Sequence, residues 1–115
     1  MKYLVMIYTD PKLLDALPAG EFDRMMSHCD AYAAGLKESG TLIASQKLQP
    51  VESATTLRVR GGKLSTTDGP FAETKEHFGG YNLIEARDLD EAIRIASKFP
   101  WSEVGAVEVR PALEG

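Results

Sequence analysis

An α+β fold built on one antiparallel sheet is predicted by three observations on this sequence. Two helical segments, residues 20–39 and a stretch that begins at Asp88, each have an apolar stripe on one side. Short β-type segments precede, separate and follow them, so the predicted order is β-α-β-β-β-β-α-β. The first β segment is apolar on both faces. Helices placed on one face of a mainly antiparallel sheet bury such stripes, which is the α+β solution.

The first predicted strand covers residues 2–9, KYLVMIYT, and ends at the turn signal Asp10-Pro11. It is rich in β-branched and aromatic residues, which favour strands. Successive side chains of a strand point to opposite faces, and both faces are apolar here. A strand of this kind is covered on both sides. The two sets are Tyr3, Val5 and Ile7 on one face and Leu4, Met6 and Tyr8 on the other.

Residues 20–39 predict a helix, because apolar residues recur there at three- and four-residue spacing. Lys37 suits the negative end of this helix, and Gly40 follows where a C-terminal cap is expected. Residues 41–48, TLIASQKL, then predict a short strand that is closed by Pro50. The apolar stripe of the helix consists of Phe22, Met25, Met26, Cys29, Tyr32, Ala33 and Leu36.

The middle of the chain predicts a β-hairpin. Residues 54–60, ATTLRVR, alternate between apolar and basic side chains, and residues 63–68, KLSTTD, follow after Gly61-Gly62. Two strands separated by two glycines are typical of a hairpin. A loop that begins with DGPF comes next, and residues 79–86, GGYNLIEA, predict a further strand.

The second helix is predicted to begin at Asp88, because Asp88 and Glu91 resemble a capping box with Asp in place of Ser or Thr. Pro100 ends this helix, and residues 104–111, VGAVEVRP, predict the last strand. The apolar stripe of the helix consists of Leu89, Ala92, Ile93, Ala96 and Phe99.

The complete order is the ferredoxin-like plan, with two helices on one face of the sheet and an extra β-hairpin in the middle. With 115 residues, the chain is expected to form one domain, 1–115. Two helices cover one face of the sheet, whereas the first strand is apolar on both. Leaving the second face wet would cost roughly 25 cal/mol per Å². We therefore expect a homodimer in which two sheets pack against each other.

Charge and cysteine content narrow the partners and the compartment. The net charge is −4, which argues against a general affinity for nucleic acid or anionic membranes. Cys29 is the only cysteine, so a reducing, cytoplasmic compartment is expected. The apolar run YLVMIY near the N-terminus is too short for a signal-peptide core or a membrane span.

Several separated motifs together resemble the YCII-related proteins, and more closely the branch named for its DGPF motif. The motifs are MKYLVMIY at the start, LQP at 48–50, Thr55-Thr56, DGPFAETKEHFGGY from residue 68 and VEVRP at 107–111. The resemblance implies a dimeric α+β barrel in a bacterial protein. It implies no settled activity, and many members of this branch are encoded near extracytoplasmic-function sigma factors.

Some members of the wider superfamily look like enzymes that use a His–Asp pair, and one related protein is a dehydrochlorinase of a chlorinated hydroxyquinone. In that pattern a histidine lies on the first helix and an aspartate follows the second strand. This sequence has His28 on the helix, but the spacing back from Gly40 puts the family's histidine nearer Cys29. Glu52 follows the second strand, with no aspartate. The pair is not carried over; His28 is kept as a catalytic candidate, with packing at the border of the stripe as the alternative.

The loop at residues 68–80, DGPFAETKEHFGG, concentrates ionisable side chains. We expect Asp68 or Glu73 to act as a general base and Lys75 to hold an anionic or developing negative charge. A structural alternative is that Asp68 accepts backbone N–H bonds in its own turn, while the other charges pair with one another or with Arg58 or Arg110, each pair contributing about 0–1 kcal/mol. The further ligand-binding candidates are Phe71, Glu76, Tyr81 and Arg58.

The sequence has no close-spaced metal ligands, no phosphate-binding glycine loop and no G-x-S-x-G motif, so we expect no metal and no cofactor. Three functions stay open. One is a dimer that binds a small anionic or aromatic molecule, linked to sigma-factor regulation. Another is a cofactor-free lyase or isomerase that uses carboxylate acid–base chemistry on an aromatic or carbonyl compound. The third is a pure protein-interaction dimer, which a filled interior would favour.

Overall fold

A computed structural model describes residues 1–114 and confirms the α+β prediction. One four-stranded antiparallel sheet has the strand order β2-β5-β1-β6, and β3 and β4 form a separate two-stranded sheet. The strands are β1 (Lys2–Thr9), β2 (Leu42–Lys47), β3 (Thr55–Arg60), β4 (Lys63–Asp68), β5 (His77–Glu85) and β6 (Gly105–Pro111). The helices are α1 (Pro11–Asp15), α2 (Glu21–Glu38) and α3 (Leu89–Ser97). Within residues 1–114, no helix has both the length and the apolarity needed to cross a membrane.

Strand β1 lies at the centre of the main sheet, paired with β5 on one side and β6 on the other. Its side chains alternate as predicted. Tyr3, Val5 and Ile7 lie in the core with buried residues of α2 and α3. We call this side the helix face. The buried core residues contributed by the helices are Met25, Cys29, Ala92 and Ala96.

The opposite side of the main sheet, which we call the back face, is also apolar. Met6 is buried there, and its neighbours on β1 and β5 are half-buried although no helix covers them. The strand register places these residues together, because directly opposed residues of an antiparallel pair share a face. The apolar residues of the back face are Leu4, Met6, Tyr8, Phe78, Tyr81 and Leu83.

Both long helices end and begin as their sequences predict. Gly40 has φ +81° after α2 and its amide donates to the Lys37 carbonyl, which is the left-handed cap expected there. Asp88 accepts from the Glu91 amide at 2.9 Å, and the Glu91 carboxylate accepts from the amide of Arg87 rather than of Asp88. The capping box is therefore present in a form shifted by one residue.

Two details differ from the predictions. The short helix α1 was not predicted; it is capped by Asp10, which accepts from the Lys12 amide at 2.9 Å. Leu89 and Ile93 belong to the predicted apolar stripe of α3 but are each 48% exposed. Helix packing uses a narrower stripe of α3, because small residues let it lie close to the sheet and leave the flanking side chains outside.

The β3–β4 hairpin stands apart from the main sheet. Gly61 and Gly62 have φ +58° and +77°, as a two-residue hairpin turn of type I′ requires. Every residue of β4 is exposed, and so is every residue of β3 except Thr56. The base of the hairpin is closed by the Gly69 amide, which donates to the Ala54 carbonyl at 2.7 Å.

Candidate functional site

One end of the main sheet gathers the elements that can form a site. Thr9 at the end of β1 is opposite His77 at the start of β5 and Gly105 at the start of β6. Lys47 at the end of β2 reaches the same level of the sheet, opposite Gly80. We call this end the mouth. Strands, short helices and loops converge there, so side chains distant in sequence meet around one space.

A cavity of about 470 Å³ lies at the mouth on the helix face. We call it the mouth cavity. Its wall is mainly apolar and combines α1, α2, β1, the start of β5 and the segment after β2. Such a size and lining are typical of small-molecule sites, in which a few polar groups set orientation. Its apolar side chains are Ile7, Pro11, Leu14, Phe22, Met26, Leu48, Pro50, Val51, Phe78 and Trp101.

Trp101 is the largest side chain of this wall and is only 5% exposed. Its indole Nε1 donates to the Cys29 Sγ at 3.3 Å, and Phe22 lies against its ring with centroids 6.1 Å apart. A buried indole N–H needs a partner, and the thiol is that partner. Trp101 therefore belongs both to the hydrophobic core and to the wall of the mouth cavity.

Three ionisable side chains line the mouth cavity, namely Lys47, Glu52 and His77. Lys47 is paired with Asp30 of α2, so its ammonium group already has a counter-charge. Glu52 is exposed and His77 is half-buried. A carboxylate and an imidazole at the wall of one apolar cavity are suited to bind a polar group of a ligand or to transfer a proton.

Two glycines allow the strands to approach closely at the mouth. A Cβ at Gly80 would lie 2.8 Å from the Gln46 carbonyl oxygen, and one at Gly105 would lie 1.9 Å from the Tyr8 carbonyl oxygen. Neither position has room for a side chain. The absence of a side chain at Gly80 and Gly105 thus lets the neighbouring strands approach closely here.

Asp10 follows β1 at the mouth and is only 3% exposed. One carboxylate oxygen caps α1, and the other lies 3.8 Å from the Lys75 Nζ. The Asp10 amide donates to the Val104 carbonyl at 2.8 Å. Lys75 therefore ties the loop between β4 and β5 to a buried carboxylate. The sequence predicts Asp10 only as a turn residue and gives no sign of this contact with Lys75.

A second cavity, of about 830 Å³, lies on the back face beside the base of the hairpin. We call it the rear cavity. Met6, Tyr8 and Phe78 line it from the main sheet, and the rings of Tyr8 and Phe78 pack with centroids 5.4 Å apart. Residues 48–51 and 77–78 line both cavities and separate them. From the hairpin and the loop that follows it, the lining residues include Thr55, Thr56, Leu57, Pro70, Phe71, Ala72, Thr74 and Glu76.

The predicted site residues do not all come together. Phe71 and Glu76 line the rear cavity, and the Arg58 Nη2 donates to the Phe71 carbonyl at 2.8 Å. Asp68 and Glu73 are exposed and line neither the mouth cavity nor the rear cavity. The loop lies across the hairpin base, with its exposed carboxylates directed to solvent.

The other three candidates occupy different surroundings. Tyr81 belongs to the back face, and Lys75 is bound to Asp10 rather than to another residue of its own loop. His28 is exposed on α2 and its Nε2 lies 3.2 Å from the Lys98 carbonyl oxygen, away from both cavities. The roles of all eight candidates stay predictions, and Glu52, His77, Asp10 and Trp101 join them as residues of the mouth.

Within residues 1–114, no cluster of three or more His, Cys, Asp or Glu side chains has an arrangement that could hold a metal ion.

The fold and the mouth cavity define a ferredoxin-like α+β protein. The YCII-related domain model matches residues 1–114, so this chain belongs to the YCII-related family. A curated relative, the uncharacterized protein R00369 of Rhizobium meliloti (strain 1021), is 37% identical over 113 residues, which cover 96% of this chain and 91% of the relative. Membership of the DGPF branch stays a prediction from the motif.

A solved structure extends the comparison to a protein of named activity. It is 5-chloro-2-hydroxyhydroquinone dehydrochlorinase from Burkholderia phenoliruptrix AC1100, in complex with 2,5-dihydroxybenzoquinone. The TM-score is 0.57 at 19% identity, and the match covers all of this chain and 96% of the dehydrochlorinase. At this identity the likeness concerns the fold.

Proposed function

We propose that this protein binds a small aromatic or anionic molecule in the mouth cavity and acts as a homodimer. One observation supports the binding function most strongly: a mainly apolar space of about 470 Å³ whose wall also presents His77 and Glu52. Apolar walls with a few polar groups favour a flat ligand that has polar substituents. The unfilled space argues against a pure protein-interaction dimer.

The homodimer is supported by the back face. Six apolar side chains lie there without a covering helix, and such a surface on a small protein marks a contact with a partner. Sedimentation velocity at micromolar concentration tests this part. A monomer mass would contradict the dimer and leave the ligand site to be tested by itself.

Calorimetric titration with 2,5-dihydroxybenzoquinone and with simple hydroxybenzoates tests the binding function. We expect saturable heat with at least one of these probes, together with a change in the fluorescence of Trp101, the only tryptophan of the chain. No heat and no spectral change with any probe at millimolar concentration would contradict the proposal.

A matched pair of variants on α1 locates the site. Leu14 lines the mouth cavity, whereas its neighbour Leu13 is 46% exposed. Leu14→Phe fills part of the cavity and is expected to weaken binding at least tenfold, and Leu13→Phe is expected to leave it unchanged. Equal affinities for the two variants would place the ligand elsewhere.

A cofactor-free lyase or isomerase is the second candidate, and the presence of both Glu52 and His77 in the wall of one cavity favours it. Asp68 and Glu73, the bases predicted from the sequence, line neither cavity, so we assign the proton transfer to these two wall residues. Chloride release from 5-chloro-2-hydroxyhydroquinone is the assay that the structural neighbour suggests. Loss of turnover in Glu52→Gln and His77→Gln, with ligand binding retained, would support catalysis by these residues. If the unmodified protein binds the compound but releases no chloride, the lyase activity is contradicted and the binding function stands.

A bacterial cytoplasmic setting and an accessory role beside an extracytoplasmic-function sigma factor complete the proposal. The family resemblance supports both. Co-purification of the protein with a sigma factor encoded beside its gene would test the regulatory role, and ligand binding would stand without it.

A further inference from the structure

The β3–β4 hairpin presents an apolar face that residues 1–114, the part of the chain that the structure describes, leave largely exposed. Leu57, Val59 and Leu64 are 62%, 59% and 66% exposed. Val59 is directly opposite Leu64, and Leu57 is two residues from Val59, so all three point to the same side of the hairpin. The opposite side is polar and basic.

An uncovered hairpin of this kind is unusual in a folded chain. A single two-stranded hairpin is only marginally stable in water, and packing of its apolar face is what normally stabilises it. The radius of gyration of this chain is 16.1 Å, compared with about 13 Å for a compact domain of 100 residues. The hairpin therefore extends the chain outward with its apolar side in water.

We propose that the hairpin is an arm that packs its apolar face against the back face of a second copy of this chain, so that each rear cavity is enclosed only when both copies are present. This inference rests on the homodimer proposed above and names the segment that forms the contact. The base of the arm, at Thr55 and Leu57, already lines the rear cavity together with Met6 and Tyr8 of the back face. Arm, cavity and back face are thus one continuous surface.

Charge favours the body of a second copy as the partner of the arm, rather than another arm or a basic protein. The arm contains Arg58, Arg60 and Lys63 and only one acidic residue, Asp68, whereas the whole chain has a net charge of −4. The remainder of the chain is therefore strongly acidic, so an arm is attracted to the body of another copy and repelled by another arm. The same positive charge disfavours a basic protein as the partner.

The molecule is large and flat enough for such a contact. Its dimensions are 47 × 45 × 21 Å, and a stable protein interface needs about 800 Å² from each partner. The back face contributes the half-buried Leu4, Tyr81 and Leu83 next to the rear cavity. Three large apolar side chains of the arm meet an apolar surface of matching character.

Two double variants on opposite sides of the arm test the contact. Val59→Glu with Leu64→Glu changes the apolar face, and Ser65→Glu with Thr67→Glu changes the exposed polar face of the same hairpin. Both double variants add two negative charges to the hairpin. A difference between their dimerisation affinities therefore reports the contribution of the apolar face. We expect the first variant to weaken dimerisation in sedimentation experiments at least tenfold more than the second, with unchanged far-UV circular dichroism. Equal weakening would overturn the arm contact while leaving the dimer and the mouth cavity intact.

Photo-crosslinking locates the surface that the arm touches. Benzoylphenylalanine at position 59, in dimers mixed from ¹⁴N and ¹⁵N chains, distinguishes links between copies from links within one. Links between copies to the peptide at 3–9 or 78–84 are the expected result. Links within one chain only, links to position 59 or its neighbours on the other arm, or no links would each overturn the proposal. A monomeric unmodified protein would remove the proposed homodimer as well, whereas calorimetry on the mouth cavity would still report ligand binding.

Discussion

The two faces of the main sheet are both apolar, yet only one is completed by its own chain. On the helix face, Val5, Ile84 and Phe99 are at most 1% exposed. On the back face, Leu4, Tyr8 and Leu83 keep part of their surface in water. The difference shows that a strand can be apolar on both faces although its own chain buries only one of them.

The largest expected effect is a loss in free energy of unfolding, and it should differ between variants on the two faces of the main sheet. Phe99→Ala on the helix face should lower the free energy of unfolding by about 3–5 kcal/mol, because it leaves a cavity in a fixed core. Tyr8→Ala on the back face should cost less in dilute solution, and its cost should grow with protein concentration. Urea unfolding at 1 µM and 100 µM measures both. A concentration-independent loss for Tyr8→Ala would contradict a back face completed by a second copy.

A glycine pair gives the next largest effect and tests the strand packing at the mouth. Gly105→Ala should destabilise by about 1–3 kcal/mol, because its Cβ has no room beside the Tyr8 carbonyl. Gly35→Ala on α2 is the matched control; its Cβ meets open space, so it should stabilise by about 0.5–1 kcal/mol through helix propensity. Thermal unfolding of both variants checks the opposite signs, and a stabilising Gly105→Ala would contradict the close approach of β6 to β1.

The tie between Asp10 and Lys75 should have a smaller effect. Asp10→Ala removes the cap of α1 and should cost about 1 kcal/mol, whereas Asp10→Asn keeps a capping oxygen and removes only the charge. Lys75→Met should cost less than about 1 kcal/mol, because this side chain is 81% exposed. Chemical denaturation of Asp10→Asn and Lys75→Met measures the loss in free energy of unfolding for each variant. If the two losses differ clearly, they do not come from the ion pair that both variants remove.

The smallest expected effect is a dependence of the free energy of unfolding on pH, caused by Tyr32 of α2. Burial raises the pKa of the Tyr32 phenol, which donates to the Ile95 carbonyl at 2.8 Å. The folded state therefore holds this proton more tightly than the unfolded state, so the stabilisation is complete below about pH 10 and is lost as the pH rises beyond it. Tyr32→Phe should flatten the stability profile above pH 10. An identical alkaline slope in both proteins would contradict this assignment.

The strands, the two long helices and the hairpin could be predicted because each has a period or a glycine signal of its own. Helix α1 could not, since five residues are too few for a helical period to show. The site was harder to predict for a different reason. The density of charge in the 68–80 loop drew notice to Asp68 and Glu73, but the course of the loop is set by contacts with Ala54, Arg58 and Asp10 that are distant in sequence.

His77 illustrates the same limit. It falls within the predicted 68–80 loop, but β5 begins at this position, two residues earlier than predicted, and His77 lines both cavities. The register of β1 against β5 shifts between Ile7 and Tyr8, which sets the direction of the side chains that follow. The sequence of β1 does not reveal this one-residue shift in strand register, because its side chains are apolar on both faces and either register would bury apolar residues.

The two edges of the main sheet have a consequence for solubility. Strand β2 has an irregular register around Ile43, and β6 carries the charged pair Glu108 and Arg110 before it ends at Pro111. A bulge, charges and a proline each discourage one sheet from extending into the next. Growth of the main sheet from the edge of one copy to the edge of the next is therefore disfavoured, which works against fibre formation.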